Sequence, residues 1–86
     1  MGPTQNDPYA GWLSIEFLGT ERHVELLPVP ASIGTERMTT EIVPVLKDFM
    51  ERIVDGCRHA GSPCKDCRME VVNGAVAYMQ KAAGKR

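Results

Sequence analysis

Three cysteines and one histidine stand within eleven consecutive positions of this sequence: Cys57, His59, Cys64 and Cys67. Thiolate sulfur and imidazole nitrogen are donors that zinc prefers, and three sulfurs with one nitrogen form a normal tetrahedral structural site. Cys64 and Cys67 stand one helical turn apart, so both sulfurs can reach one ion if a helix begins here. The spacing predicts a structural zinc site with these four ligands.

Other states of the cysteines stay open from the sequence alone. An odd number of cysteines crowded into one segment is unlike the spread, even-numbered framework of a secreted disulfide-rich protein. Cys57 is equally suited to be a small buried side chain with an unligated thiol. A disulfide between Cys57 and Cys64 or Cys67 is a further alternative, as is a redox pair. Separately, His59 could serve only as a cation that stabilises the C-terminus of a helix.

Two helices are predicted to meet at this segment. The first should begin with Thr39 or Thr40 as its N-cap and hold Pro44 in its first turn, because proline is tolerated only there. Apolar residues then recur at spacings of three and four, which is typical of an amphipathic helix: Ile42, Leu46, Phe49, Met50, Ile53 and Cys57. Gly61 should close this helix.

The second helix should begin at Ser62 and Pro63. Serine is a favourable N-cap, and proline at the first helical position loses no needed N–H group. Its apolar stripe is predicted to consist of Met69, Val72, Ala75, Val76, Met79 and Ala83. This start would place Cys64 and Cys67 in the first turn, where the helix dipole favours thiolate over thiol.

A β-hairpin is predicted before the helices. Leu13, Ile15 and Phe17 alternate with polar residues, which is typical of a half-buried strand. Val24 and Leu26 resume the alternation against polar neighbours after a turn. Pro28 and Pro30 should end the second strand, because proline cannot donate to the ladder.

The fold class that follows is α+β, a β-hairpin followed by an antiparallel helical hairpin (ββαα), in a small domain of residues 11–84. Residues 1–10 are polar with two prolines and should form a flexible leader. A chain of 86 residues builds only a small core, so a metal staple or a partner chain is expected. A two-stranded sheet also leaves long edges exposed, which favours a homodimer or another homo-oligomer.

Composition and charge bear on where the protein is located and on which partners it can have. No apolar run is long enough to span a bilayer, so no membrane partner is expected. The first residues lack the basic and apolar regions of a signal peptide, so the expected localisation is cytoplasmic. Residues 1–44 carry six acidic and two basic side chains, whereas residues 45–86 carry five acidic and eight basic ones. Such a charge asymmetry can steer a charged partner.

Two enzyme alternatives arise from the same residues. His23, Glu25 and the run from Pro63 to Cys67 spell H-x-E…P-C-x-x-C, which resembles the zinc deaminases. The resemblance implies His23, Cys64 and Cys67 as zinc ligands and Glu25 as the proton shuttle. Against it, His23 falls in a predicted strand and the chain is short for that fold. A thiol-redox enzyme built on the C-x-x-C pair would need a strand before it, and a helix stands there instead.

The remaining alternative is a nucleic-acid-binding transcriptional regulator that presents the basic residues of the helical joint to phosphate. The interleaved acidic residues and the absence of a suitably placed aromatic weigh against it. We therefore expect a non-catalytic protein–protein interaction module, an adaptor, inhibitor or regulator, with a structural zinc site joining two helices. Its partner would be another protein.

Overall fold

The computed structural model describes residues 9–19, 21–61 and 63–84, without the side chains of residues 9 and 10. Strands β1 (Tyr9–Phe17) and β2 (His23–Pro30) form a two-stranded antiparallel sheet. Then follow a helical turn α1 (Thr35–Arg37), a π-helical turn (Met38–Ile42), helix α2 (Val43–Gly56) and helix α3 (Lys65–Ala83). The predicted ββαα order of an α+β fold is confirmed.

The hairpin register decides which strand residues face the core. Leu13 lies opposite Leu27, so both side chains share the face of the sheet that packs on the helices. Leu27 is buried, whereas Val24 and Leu26 are about half or more exposed on the outer face, at 48% and 60%. The prediction that Val24 and Leu26 continue the buried alternation is therefore wrong. Leu26 and Leu27 are adjacent, so the sequence alone allows either of them to face the core. The register between β1 and β2 places Leu27 on the core-facing side.

The strand limits agree with the prediction at the end of β2 and differ from it at the start of β1. Strand β2 includes Pro28, which pairs with Trp12, and ends at Pro30, one of the two prolines predicted to end it. A proline is tolerated within this strand because both strands of a two-stranded sheet are edge strands. Strand β1 begins at Tyr9, so it includes the last two residues of the predicted leader. Residues 1–8 lie outside the described residues, and the leader stays a prediction.

The first helical segment begins earlier than predicted, at Thr35 with Gly34 as its N-cap. Thr39 and Thr40 are not caps, because their hydroxyls donate to the carbonyls of the residues four positions earlier, at 3.1 and 2.9 Å. The N–H of Val43 instead bonds to the carbonyl of Met38, five residues back. This wide turn immediately precedes Pro44, whose ring would crowd a normal helical carbonyl and which has no N–H to donate.

The core lies between the inner face of the hairpin and helices α2 and α3. Its fully buried large side chains come from the hairpin, the π-helical turn and α3, and they include Phe17, Leu27, Ile42, Val71 and Met79. Helix α2 contributes the buried Leu46. On α3, Ala75, Met79 and Ala83 are buried as predicted, but Val71 takes the place predicted for Met69, which is 39% exposed. Helix α3 packs against both β2 and α2, and this double contact rotates its buried face away from Met69.

Helices α2 and α3 approach each other closely at Gly74. A Cβ atom on Gly74 would lie 2.5 Å from Cζ of Phe49, so the aromatic ring occupies the space that any larger residue would need. A glycine in the middle of a helix costs stability relative to alanine, and here it permits the interhelical contact. Within the described parts of the chain, no helix has the length and apolar content needed to cross a bilayer.

Candidate metal centre

The chain leaves α2 in an extended conformation at Cys57, which is the C-cap of that helix. The Cys57 N–H donates to the carbonyl of Val54 at 3.1 Å, and the Arg58 guanidinium donates to the carbonyl of Cys57 at 3.4 Å. Gly61 then adopts a left-handed backbone conformation, with φ at +74°, which glycine enters without steric cost. These features turn the chain from the end of α2 toward the start of α3.

Helix α3 begins two residues later than the sequence predicted. Cys64 is the N-cap, and its sulfur accepts a hydrogen bond from the N–H of Cys67 at 3.4 Å. The predicted cap Ser62 lies outside the described residues, and Pro63 precedes the cap instead of opening the helix. The Arg68 guanidinium donates to the carbonyl of Pro63 at 2.8 Å, which holds this approach to the helix in place.

The structure brings all four sequence-predicted ligands together. One donor atom from each of Cys57, His59, Cys64 and Cys67 can be chosen so that all four lie within 4.8 Å of one another. Nδ1 of His59 lies 3.7 Å from the sulfur of Cys57 and 3.5 Å from the sulfur of Cys64. The backbone N–H of Cys64 also donates to the sulfur of Cys57 at 3.4 Å. These residues form a group that can hold a metal ion.

The four donors are not equally accessible. Cys57 is buried with 6% of its surface exposed, and it adjoins the core at the end of α2. Cys64 and Cys67 are half-buried, and His59 is exposed. The centre therefore has one wall on the protein interior and an open side that the other three residues supply.

The crowding of the thiols affects their protonation. The hydrogen bond with Cys64 is the largest of the causes that raise the pKa of Cys67 to about 12, and the hydrogen bond with Cys57 is the next. Without a cation, Cys67 therefore stays a thiol at neutral pH. Metals bind the thiolate form, so binding at this centre must release that proton.

His23, the other histidine of the chain, lies near the donor cluster but is not part of it. His23 lines a cleft of about 310 Å³ with Glu21, Cys64, Lys65 and Arg68. It does not belong to the group of four donor atoms, and the imidazole beside the sulfurs is that of His59. Glu25 lies opposite Ile15, on the inner face of the hairpin. The ligand set that the deaminase resemblance implies is thus not the set that the structure assembles.

Two basic residues of the joint have partners within the protein. The nucleic-acid alternative would have the basic residues of the joint face phosphate, but Arg58 and Arg68 both donate to backbone carbonyls of the joint. The position of Arg58 directly after a helix was the available signal, because basic side chains there often bond the last carbonyls.

Comparisons with protein-family models, with curated proteins and with solved structures found no match for this chain. The interpretation of the centre consequently depends on its own geometry. That geometry is a compact group of three sulfurs and one imidazole at the joint between two helices.

Proposed function

We propose that this chain is a small non-catalytic interaction domain whose helical joint is held by a structural zinc ion, bound by Cys57, His59, Cys64 and Cys67. The observation that carries the proposal is the separation of the donors. A tetrahedral zinc with bonds of about 2.3 Å to sulfur and 2.05 Å to nitrogen places sulfur and nitrogen about 3.55 Å apart. The two measured separations to Nδ1 of His59 are 3.5 and 3.7 Å.

A structural role fits this donor set better than a catalytic one. Four protein donors fill a tetrahedral zinc, whereas catalytic zinc keeps a position for water or substrate. The ion would also join the end of α2 to the start of α3 in a chain whose core is small. Reduced cysteines of this kind suit a reducing compartment such as the cytoplasm.

The proposed binding surface is the edge of β1 opposite β2, where no other strand pairs among the described residues. Grooves run along this edge between the strand and the helical segment, and both are lined by Leu13 and Val43. Leu46 and Met50 of α2 extend the apolar lining. Two strands about 4.8 Å apart cannot cover two helices packed about 10 Å apart. Because β2 packs on α3, the exposed side of α2 lies beyond the edge of β1.

The partner that we propose for this edge is an extended protein segment that adds a strand to the sheet. The first candidate for that segment is β1 of a second copy of this chain. Addition of a strand supplies backbone hydrogen bonds, and a groove beside the edge supplies side-chain contacts. In a two-fold dimer, β1 would pair with its counterpart and the new strands would cover α2 in both copies. A domain of this kind would act as an adaptor, inhibitor or regulator.

Sedimentation velocity of the zinc-loaded protein tests the proposed surface. Val43→Glu places a charge in the groove and can pair with Lys47 one turn away; Val24→Lys places a charge on the outer face, opposite Glu16. These valines have similar exposure, 38% and 48%. We expect wild type and Val24→Lys to dimerise with similar affinity, and Val43→Glu to do so at least about tenfold more weakly.

A wild-type protein that stays monomeric up to high concentration would contradict self-association. Equal dimerisation by both variants would show that the groove is not the interface.

A further inference from the structure

The open side of the metal centre contains two thiols that are fixed in one turn of helix. Cys64 and Cys67 are both half-buried, whereas Cys57 has only 6% of its surface exposed. Oxidants attack thiols according to their thiolate character and accessibility. An oxidant that reaches this centre therefore meets Cys64 or Cys67 before Cys57.

The backbone of α3 also favours Cys64 and Cys67 as partners of each other. The sulfur of Cys64 folds over the first turn, where it accepts the N–H of Cys67 at 3.4 Å. A bond between these two sulfurs closes within the first turn of one helix, and neither α2 nor the connecting loop has to move. The sulfur of Cys57 also lies within 4.8 Å of these two, but it belongs to the end of α2 and is shielded from an oxidant by its burial.

We propose that the metal centre is a redox switch in which a peroxide oxidises Cys64 and Cys67 to a disulfide and the metal ion is released. The inference rests on the proposed zinc site. One thiolate attacks the peroxide O–O bond and becomes a sulfenic acid, with hydroxide as the leaving group. The second thiolate attacks that sulfur, the S–S bond forms, and a second hydroxide leaves. Two thiolates lose two electrons, and hydrogen peroxide with two protons becomes two waters.

The identity of the pair determines the effect on the fold. A disulfide from Cys57 to either other cysteine would keep the end of α2 tied to the start of α3. The disulfide between Cys64 and Cys67 lies within α3 alone, so it removes two of four metal donors and leaves no cross-link between the helices. The segment that follows Cys57 then loses its tether, and its exposed residue Arg58 becomes a site of tryptic cleavage.

The test treats zinc-loaded protein with hydrogen peroxide and follows three readouts: zinc released to a colorimetric chelator, the disulfide by peptide mass mapping, and the rate of tryptic cleavage after Arg58. We expect one zinc released per chain, a Cys64–Cys67 disulfide, and cleavage about tenfold faster, because cleavage follows the population of the opened loop. Dithiothreitol with added zinc should reverse all three changes.

Cys67→His is the informative variant, because it keeps a fourth metal donor and removes the pair. It should bind zinc and retain it under peroxide at least about tenfold longer than wild type. If Cys67→His does not fold, the disulfide that peptide mass mapping finds in the wild type still tests the pairing of Cys64 with Cys67. A disulfide that involves Cys57, or a zinc-loaded protein whose thiols resist peroxide, would overturn the switch alone. A reduced protein that carries no zinc before oxidation would contradict the proposed site, and the switch with it.

Discussion

At the scale of single residues, the metal centre depends on donors whose surroundings differ. Cys57 belongs to the buried end of α2, while His59 approaches from an exposed loop position and places Nδ1 3.5 Å from the sulfur of Cys64. An exposed imidazole gains little from packing, so its contribution should come almost wholly from a bound metal. Removal of His59 is therefore a clean test of coordination.

We expect His59→Ala to weaken zinc binding about hundredfold. Structural zinc sites contribute about 10–16 kcal/mol over four donors, which is roughly 3 kcal/mol per donor. His23→Ala is the matched control, because His23 is the other histidine of the chain and lies outside the donor group. Competition with a chelator of known affinity measures both. Equal losses in the two variants would contradict the assignment of His59 as a ligand.

The raised pKa of Cys67 predicts that the metal-free protein is sensitive to alkali. The folded protein holds this proton more tightly than an unfolded chain, because the pKa rises from 9.0 to about 12. The resulting stabilisation is complete below pH 9 and is lost as the pH rises from 9 toward 12. Across that window the thermal midpoint of metal-free wild type should fall more steeply than that of metal-free Cys67→Ser. Parallel curves would contradict the prediction.

At the scale of elements, the joint between α2 and α3 positions the donors, and its conformation depends on two glycines with different roles. Gly61 has a positive φ of 74°, whereas Gly56 ends α2 with an ordinary backbone. A Cβ atom would meet no neighbour within 4 Å at either position. Alanine substitutions at Gly56 and Gly61 therefore differ in the backbone conformation that alanine must adopt and not in packing.

We expect Gly61→Ala to lower the free energy of unfolding of the zinc-loaded protein by about 1 kcal/mol, because alanine is strained at positive φ. Gly56→Ala should raise it by about 0.5–1 kcal/mol, because alanine is the better helix former. Denaturant unfolding measures both values. Changes of the same sign would show that the joint has a different conformation from the one described.

Core packing between the elements gives a further prediction. Ile42 is fully buried at the end of the π-helical turn, while Val45, three residues later, is 43% exposed. Ile42→Ala should cost about 2–5 kcal/mol in the free energy of unfolding, because it leaves a cavity. Val45→Ala should change it by less than about 1 kcal/mol. Similar losses in the two variants would contradict the burial of Ile42.

The sequence was sufficient for the element order and for the candidate site, because the relevant signals are local. The four donors stand within eleven positions, and a C-x-x-C pair at a helix start faces one point. Features set by tertiary contacts were not accessible in the same way. The choice of Leu27 over Leu26 depends on the hairpin register, and the burial of Val71 depends on the contact of α3 with β2. The N-cap of α3 was predicted at the wrong residue, because cysteine sulfur is a weak hydrogen-bond acceptor and Cys64 has a role that serine usually has.

At the scale of the whole molecule, the small core and the edge of β1 that no other described strand covers have a common consequence. A core of this size leaves little stability to spare, so a bound metal or a second chain would contribute a large share of it. The metal would act at one end of the helices, and a partner would act along the side of the sheet. The two contributions are separable, since Val43 and the donor cluster lie in different parts of the fold.

Native mass spectrometry of the untagged, reduced protein with equimolar zinc tests the central claim most directly. We predict one zinc per chain, complete loss of the ion with a chelator, and no retained zinc in a Cys64→Ser, Cys67→Ser double variant. A wild-type chain that stays metal-free under these conditions, with its three cysteines reduced, would contradict the account.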